Sequence, residues 1–229
     1  MEENSLALYN LAAVENDYRQ YAMECNCGMN LALARISNME SQLAILPERN
    51  PIAYIESRLK TFDSVCRKCW RRGYVKEDEP LTIDVIKERV RDIAGIRVIT
   101  TFKDDILRVK DEILHQPGIM LLGEKNYIDN PKSNGYSSLH LNVQVDIYSS
   151  AEGISKAVPI EIQIRDRAQD LWATLEHIVA YKNKNKSPRA GELFKRIAET
   201  LDAFDILAIE LRDYMPNPDE GVIEEEDTD

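Results

Sequence analysis

The chain has 229 residues, of which 44% are hydrophobic and 30% charged, with a formal net charge of −11. That length can bury a sizeable single core without disulfide or metal staples. The acidic balance argues against a protein devoted to duplex DNA or bulk RNA, although a local basic patch can still hold a small polyphosphate. With no basic-then-apolar leader and no apolar run near the roughly 18 residues a membrane span needs, the expectation is a cytoplasmic protein with no membrane partner.

From Leu6 to Leu46 apolar residues recur mostly at helical spacing, as in Leu6, Tyr9 and Ala13, then Leu31, Ala34, Leu43 and Leu46. Gly28, between Asn26 and Asn30, predicts a break into two helical segments. Pro47 would end the second, and Pro51 suits the first turn of the next helix. Four cysteines occur, Cys25, Cys27, Cys66 and Cys69; only the second pair has metal-like spacing, so two reduced, helix-borne pairs are expected.

Ile52 to Tyr74 is predicted to be helical and concentrates positive charge in Arg58, Lys60, Arg67, Lys68, Arg71 and Arg72, against only Glu56 and Asp63. Lys60, Lys68 and Arg71 share one side if that helix starts early. Such a patch is either a solvated face or a phosphate site. Glu77 to Pro80 reads as a loop and Leu81 to Arg91 as a short helix. Gly95 to Thr100 reads as a strand, Asp104 to Leu114 as a helix, and Ile119 to Tyr127 as extended chain.

Asp129-Asn130-Pro131 is turn chemistry, and Ser138 to Tyr148 alternates through Leu139, Leu141, Val143, Val145 and Ile147, a half-buried strand. Ser149 to Ala157 reads as a loop, Val158 to Ile164 as a strand, and Arg165 to about Tyr181 as a helix. Lys182 to Arg189 reads as a basic loop and Gly191 to Tyr214 as an amphipathic helix. The last stretch, with Glu224, Glu225, Glu226 and Asp227, is expected to be disordered because like charges repel.

Several polar residues sit where a strand does not need them. Glu161 and Gln163 alternate with Ile160, Ile162 and Ile164, so they point away from the isoleucines. Asp92 stands at the mouth of the preceding strand. A carboxylate pair such as Asp92 and Glu161 is the simplest way to hold Mg²⁺ when phosphate oxygens supply other ligands. Equally, Asp92 is a turn residue and Glu161 an ion-pair partner across the sheet. Tyr136, after Asn134-Gly135, either stacks on a base or fills the core; His140 either donates to a phosphate or closes a hydrogen bond at the core edge. The chain has no G-x-x-x-x-G-K-[ST], no G-x-G-x-x-G and no H-E-x-x-H.

SRLK (Ser57 to Lys60), DIAGIR (Asp92 to Arg97), NGYSSLH (Asn134 to His140), EIQIR (Glu161 to Arg165) and LWATLEH (Leu171 to His177) follow one another. Together they resemble the synthetase domain of the Rel/Spo alarmone enzymes, and the length resembles the stand-alone small alarmone synthetases. The resemblance implies an α+β fold, a nucleotidyltransferase-like mixed sheet of about five strands flanked by helices. It implies Mg²⁺-dependent transfer of the β,γ-pyrophosphoryl group of ATP to the ribose 3′-oxygen of GDP or GTP, releasing AMP.

Carried over by residue, Arg58 and Arg97 sandwich the adenine, while Lys60, Lys68 and Arg71 neutralise the ATP phosphates. Asp92 and Glu161 hold Mg²⁺, Glu161 alternatively helping to remove the 3′-hydroxyl proton. Tyr136 stacks on guanine, and Lys132, His140 and Gln163 position the acceptor. Asp166 departs from the family pattern, which has Thr or Ser there, and Tyr181-Lys182-Asn183 replaces the common YKY. With only His115, His140 and His177 and no His-Asp metal motif, alarmone hydrolysis is not expected.

The implied organisation is an N-terminal helical segment over 1–46, a synthetase domain over 47–185, a C-terminal helix over 186–215 and an acidic tail over 216–229. The flanking helices resemble those that assemble small synthetases into homo-oligomers, including tetramers. Regulation by RNA has no support in the sequence. Two other readings remain at this level, a pyrophosphokinase acting on the 3′ end of tRNA and a non-catalytic nucleotide-binding regulator.

Overall fold

The computed structural model describes residues 2–46, 49–76, 79–150, 152–182 and 188–214. These form helices α1 (Glu2–Leu43), α2 (Phe62–Arg71), α3 (Ile83–Arg89), α4 (Asp105–Leu114), α5 (Arg167–Lys182) and α6 (Pro188–Tyr214). The strands are β1 (Ile52–Leu59), β2 (Ala94–Thr100), β3 (Ile119–Asn126), β4 (Leu139–Ser149) and β5 (Ile154–Asp166). They make one mixed sheet in the order β1-β2-β5-β4-β3, in which only the β2–β5 pair is parallel. The expected α+β architecture with a five-stranded mixed sheet is therefore what forms.

The helix α1 is continuous, not two segments. Tyr18, Tyr21, Cys25, Met29, Ala32, Ile36, Met39 and Leu43 make an unbroken buried stripe at steps of three and four. Gly28 sits on that stripe because of packing. A Cβ there would run into a methyl of Val158 in β5, so the missing side chain lets the helix lie close on the sheet. Glycine is costly in a helix by about 1 kcal/mol relative to alanine, and close helix–sheet contact offsets it here.

The predicted helix over Ile52 to Tyr74 is two elements. Ile52 to Leu59 pairs antiparallel with β2 as an edge strand, following Pro51. Edge position explains the misreading, since a strand exposed over much of its length shows little alternation. Thr61 then caps α2, its hydroxyl accepting from the Ser64 amide. Lys60 lies between the two elements and cannot share a helical side with Lys68 and Arg71.

The strand β5 is longer than predicted, starting at Ile154, so the proposed loop from Ser149 to Ala157 shrinks to a hairpin closed by the Gly153 amide on the Ser149 carbonyl at 2.7 Å. Pro159 falls inside β5, ahead of the β2 ladder that begins at Glu161. Its missing amide donor thus lies where the strand has a single neighbour. α3, α4 and the other strands match the predicted elements to within a few residues.

One face of the sheet, with Ile96, Ile162 and Leu141, is buried in the core with α1 and α4. α6 packs on α5, where the Trp172 indole N–H donates to the Phe194 carbonyl at 2.9 Å. All four cysteines are free, Cys25 and Cys27 on α1 and Cys66 and Cys69 on α2, as the reduced reading expects. No helix among the described residues is long and apolar enough to cross a membrane. The predicted basic loop falls largely on 183–187, outside the described residues, as does the acidic tail.

Candidate active site

Strand register turns scattered motifs into rows. Arg58, Gly95, Glu161 and Asn142 are consecutive partners across β1, β2, β5 and β4. Two residues along runs a second row, Glu56, Arg97, Gln163 and His140, ending at Lys125 of β3. Because side chains alternate, both rows point to the face opposite Ile96, Ile162 and Leu141. That face is the candidate site.

Asp92, in the segment before β2, is gripped from two sides. Lys68 of α2 donates to one carboxylate oxygen at 2.8 Å, and the Lys60 ammonium closes on the other. Burial alone would raise the Asp92 pKa; the two lysine hydrogen bonds outweigh it and hold the acid below the usual carboxylate range. Burial lowers the pKa of Lys60, with the nearby charges of Lys68 and Arg58 adding to the effect. The Lys60 carbonyl accepts from the Tyr18 hydroxyl, so α1 also steadies this corner.

Glu161 is the second acid. Its burial raises the pKa, but His140 and Gln163 more than compensate, leaving the carboxyl below its usual range. His140 Nδ1 lies 3.2 Å from one oxygen, and the Gln163 amide donates to the other at 2.6 Å. Asp92 and Glu161 line one small cleft together with Arg58, Arg97 and Gln163, and the charge of Asp92 is felt at Glu161. The two acids are on the same side of the sheet.

A single chain of hydrogen bonds joins Tyr136 to this acid. Arg165 only donates, so the Tyr136 oxygen accepts from it at 2.8 Å and passes its own proton toward His140 Nε2 at 2.7 Å. The His140 Nδ1–H then faces Glu161. This order sets the imidazole tautomer. Arg165 also donates to Gln163 Oε1 at 2.7 Å, locking the amide that serves Glu161.

Tyr136 is half-buried and borders a wider cleft of about 330 Å³ with Arg58, Arg97, Arg165, Ala173 and His177. Edge-on contacts link it to Tyr127, His140 and Trp172, and the Lys132 ammonium lies 4.4 Å above its ring. Burial, then repulsion from Arg72 and Lys125, depresses the Lys132 pKa.

Arg58, Lys60, Lys68, Asp92, Arg97, Tyr136, His140, Glu161 and Gln163 thus converge on one face, with Lys132 over the tyrosine. Arg71 does not join the lysines on Asp92; it is exposed in the last turn of α2. Sequence reasoning missed Arg165, buried at the end of the same β5 face as Glu161 and Gln163, although its i+4 position from Glu161 could have found it. It also missed Asp170, which joins Arg97 and Arg165, each at 3.3 Å, to the Tyr54 hydroxyl. No local pattern announces that meeting of β1, β2, β5 and α5.

Residues 57–186 match the model of a region found in RelA / SpoT proteins. The chain is 32% identical to the GTP pyrophosphokinase YwaC of Bacillus subtilis (strain 168) over 179 residues, covering 78% of this chain and 82% of the relative. It is 30% identical to the GTP pyrophosphokinase YjbM of the same organism, covering 72% and 74% respectively. Among solved structures, it superposes on small alarmone synthetase 1 of Bacillus subtilis bound to its product pppGpp with a TM-score of 0.77, at 25% identity, over 86% of this chain and 97% of the other. Small alarmone synthetase 2 of Bacillus subtilis gives 0.74 at 28% identity, over 87% and 100%.

Proposed function

The chain belongs to the RelA/SpoT synthetase family, and from that premise we propose that it makes ppGpp and pppGpp by moving the β,γ-pyrophosphoryl group of ATP to the 3′-oxygen of GDP or GTP. The observation that carries this reading is the shared cleft of Asp92 and Glu161, bordered by Arg58 and Arg97 and joined through His140 to Tyr136.

In the proposed reaction the acceptor 3′-oxygen bonds to the β-phosphorus, the bond between that phosphorus and the α–β bridging oxygen breaks, and AMP leaves with the electron pair. Arg58 and Arg97 flank the adenine, and binding of the donor exchanges the Lys60 and Lys68 ion pairs with Asp92 for pairs with phosphate. Lys68 reaches the site from a helix, so the exchange needs only side-chain rotation. Tyr136 stacks on guanine, with Lys132 and Gln163 beside the acceptor. Arg71, exposed at the end of α2, serves the outer phosphates.

The acids suit Mg²⁺. Asp92 and Glu161 have lowered proton affinity, offer hard oxygen donors in one cleft, and leave the remaining positions to phosphate and water. When bound there, the ion would neutralise charge on the transferring group. Ionised Glu161 can accept the 3′-hydroxyl proton, but its low affinity means that the proton moves only as the oxygen–phosphorus bond forms. The Tyr136–His140 chain orients that carboxylate.

We further propose a cytoplasmic homo-oligomer, with 47–185 as the catalytic unit between helical flanks. The test is incubation of purified protein with labelled ATP, Mg²⁺ and GDP, GTP, GMP or deacylated tRNA. Label on the 3′ position of GDP or GTP supports the reading. Label on tRNA alone, or transfer to none of them, replaces it.

A further inference from the structure

Behind the tyrosine-bearing loop lies a second cavity, of about 410 Å³, which shares only Lys132 with the residues of the proposed reaction. The Pro131–Ser137 loop forms one wall, Ala168, Gln169 and Trp172 of α5 form another, and α6 closes it with Ala198, Leu201 and Asp205 among others. The lining is mainly apolar, yet two of its polar side chains are left open. Gln169 is 7% exposed, and neither its amide nitrogen nor its amide oxygen has a hydrogen-bond partner. Asp205 is equally buried, and no hydrogen bond or ion pair among the described residues closes on its carboxylate.

The charges facing Asp205 come from three directions. Asp166 at the end of β5 is buried, with one oxygen accepting from the backbone N–H of Gln169 and the other unpaired. Asp202 on α6 is paired at 2.6 Å with Lys103, which precedes α4. Lys132 is committed to the faces of Tyr127 and Tyr136, and Lys195 and Glu199 are exposed on α6. The pocket floor therefore gathers three carboxylates, Asp166, Asp202 and Asp205, against the single ammonium of Lys103, which is paired with Asp202. A buried carboxylate in an apolar pocket is costly unless it takes up a proton or a cation joins it.

We propose that this cavity binds a small organic ammonium ion, a primary alkyl amine or diamine, with its charged end on Asp205 and its chain along Leu201 and Trp172. An ammonium donates up to three hydrogen bonds, enough for Asp205 and the open Gln169 oxygen together. An organic cation fits better than a bare metal ion, because the lining is more apolar than polar and so serves an alkyl chain better than a hydrated ion.

The occupant would touch the back of the Tyr136 loop. Gly135 adopts φ of +89°, and a Cβ there would collide with that of Ala198, so α6 and the loop meet without intervening side chains. Trp172 bridges Tyr136 and Phe194 by edge contacts.

The experiment is calorimetric titration of the full chain with 1,6-diaminohexane, with 1,6-hexanediol as the neutral match and MgCl₂ as the simple ion. The expected result is saturable one-to-one binding of the diamine, at least tenfold tighter than the diol, with no competition by Mg²⁺. Asp205→Asn should weaken it at least tenfold, and Leu201→Trp, which fills the cavity without touching the acid, should abolish it. No saturable binding, equal binding of the diol, competition by Mg²⁺, or unchanged binding in either folded variant would overturn the proposal. The diol comparison decides the matter if neither variant folds, and no arm depends on turnover.

Discussion

Lys68 of α2 donates to Asp92 at 2.8 Å, across a gap of 24 residues, while Lys60 takes the other oxygen. A carboxylate enclosed by two ammonium groups is a balanced arrangement at rest. It also stores two cations at the place where a polyphosphate would arrive.

Asp92→Asn and Glu161→Gln keep side-chain size and remove a negative charge from the proposed ion site. Each should leave a folded protein, by circular dichroism, with kcat lowered at least about 100-fold, the scale for losing one preorganised electrostatic group. Substantial synthesis by both variants would remove the two acids from the mechanism.

Tyr136 has two separable roles. Tyr136→Ala should raise the acceptor KM by about 5- to 150-fold, corresponding to the roughly 1–3 kcal/mol of base stacking. Tyr136→Phe keeps the ring but loses the hydroxyl between Arg165 and His140. It should lower kcat with little change in KM, as steady-state kinetics with varied GDP would reveal.

Gly28→Ala sets helix propensity against packing. Propensity favours alanine by up to about 1 kcal/mol. The new methyl would meet the stiff, buried Val158 side chain, and overpacking costs about 1–3 kcal/mol. The expected net loss of about 1 kcal/mol corresponds to a Tm drop of about 2–4 °C in a chain of this size. An increase in Tm would mean that the helix does not sit so close to β5.

Asp205 gives a pH signature. Burial, reinforced by Asp166 and Asp202 against the opposing charge of Lys103, pushes its carboxyl up to about 7. Folding thus raises its proton affinity. Its contribution to stability is full below the unfolded value near 4 and is lost as pH rises through about 7. Asp205→Asn cannot ionise, so relative to the parent it should gain Tm at pH 8 over pH 5 in thermal melts without amine. A pH-independent difference would show that the acid titrates normally.

Much of this protein was legible in its residue order. Alternation through Leu139–Ile147 and Ile160–Ile164 marks two central strands because both faces of a strand report their surroundings within a few residues. The same alternation placed Glu161 and Gln163 opposite the isoleucines, and the motif series carried the family. The edge strand β1 and the unbroken α1 were not legible. An exposed edge shows little hydrophobic contrast, and the space that requires Gly28 belongs to Val158, 130 residues away. Strand order β1-β2-β5-β4-β3 alone aligns Arg58 with Glu161 and Arg97 with His140, and brings Lys60 and Lys68 onto Asp92. Local periodicity records which way a side chain points, whereas what it meets depends on chain segments that only the folded sheet makes neighbours.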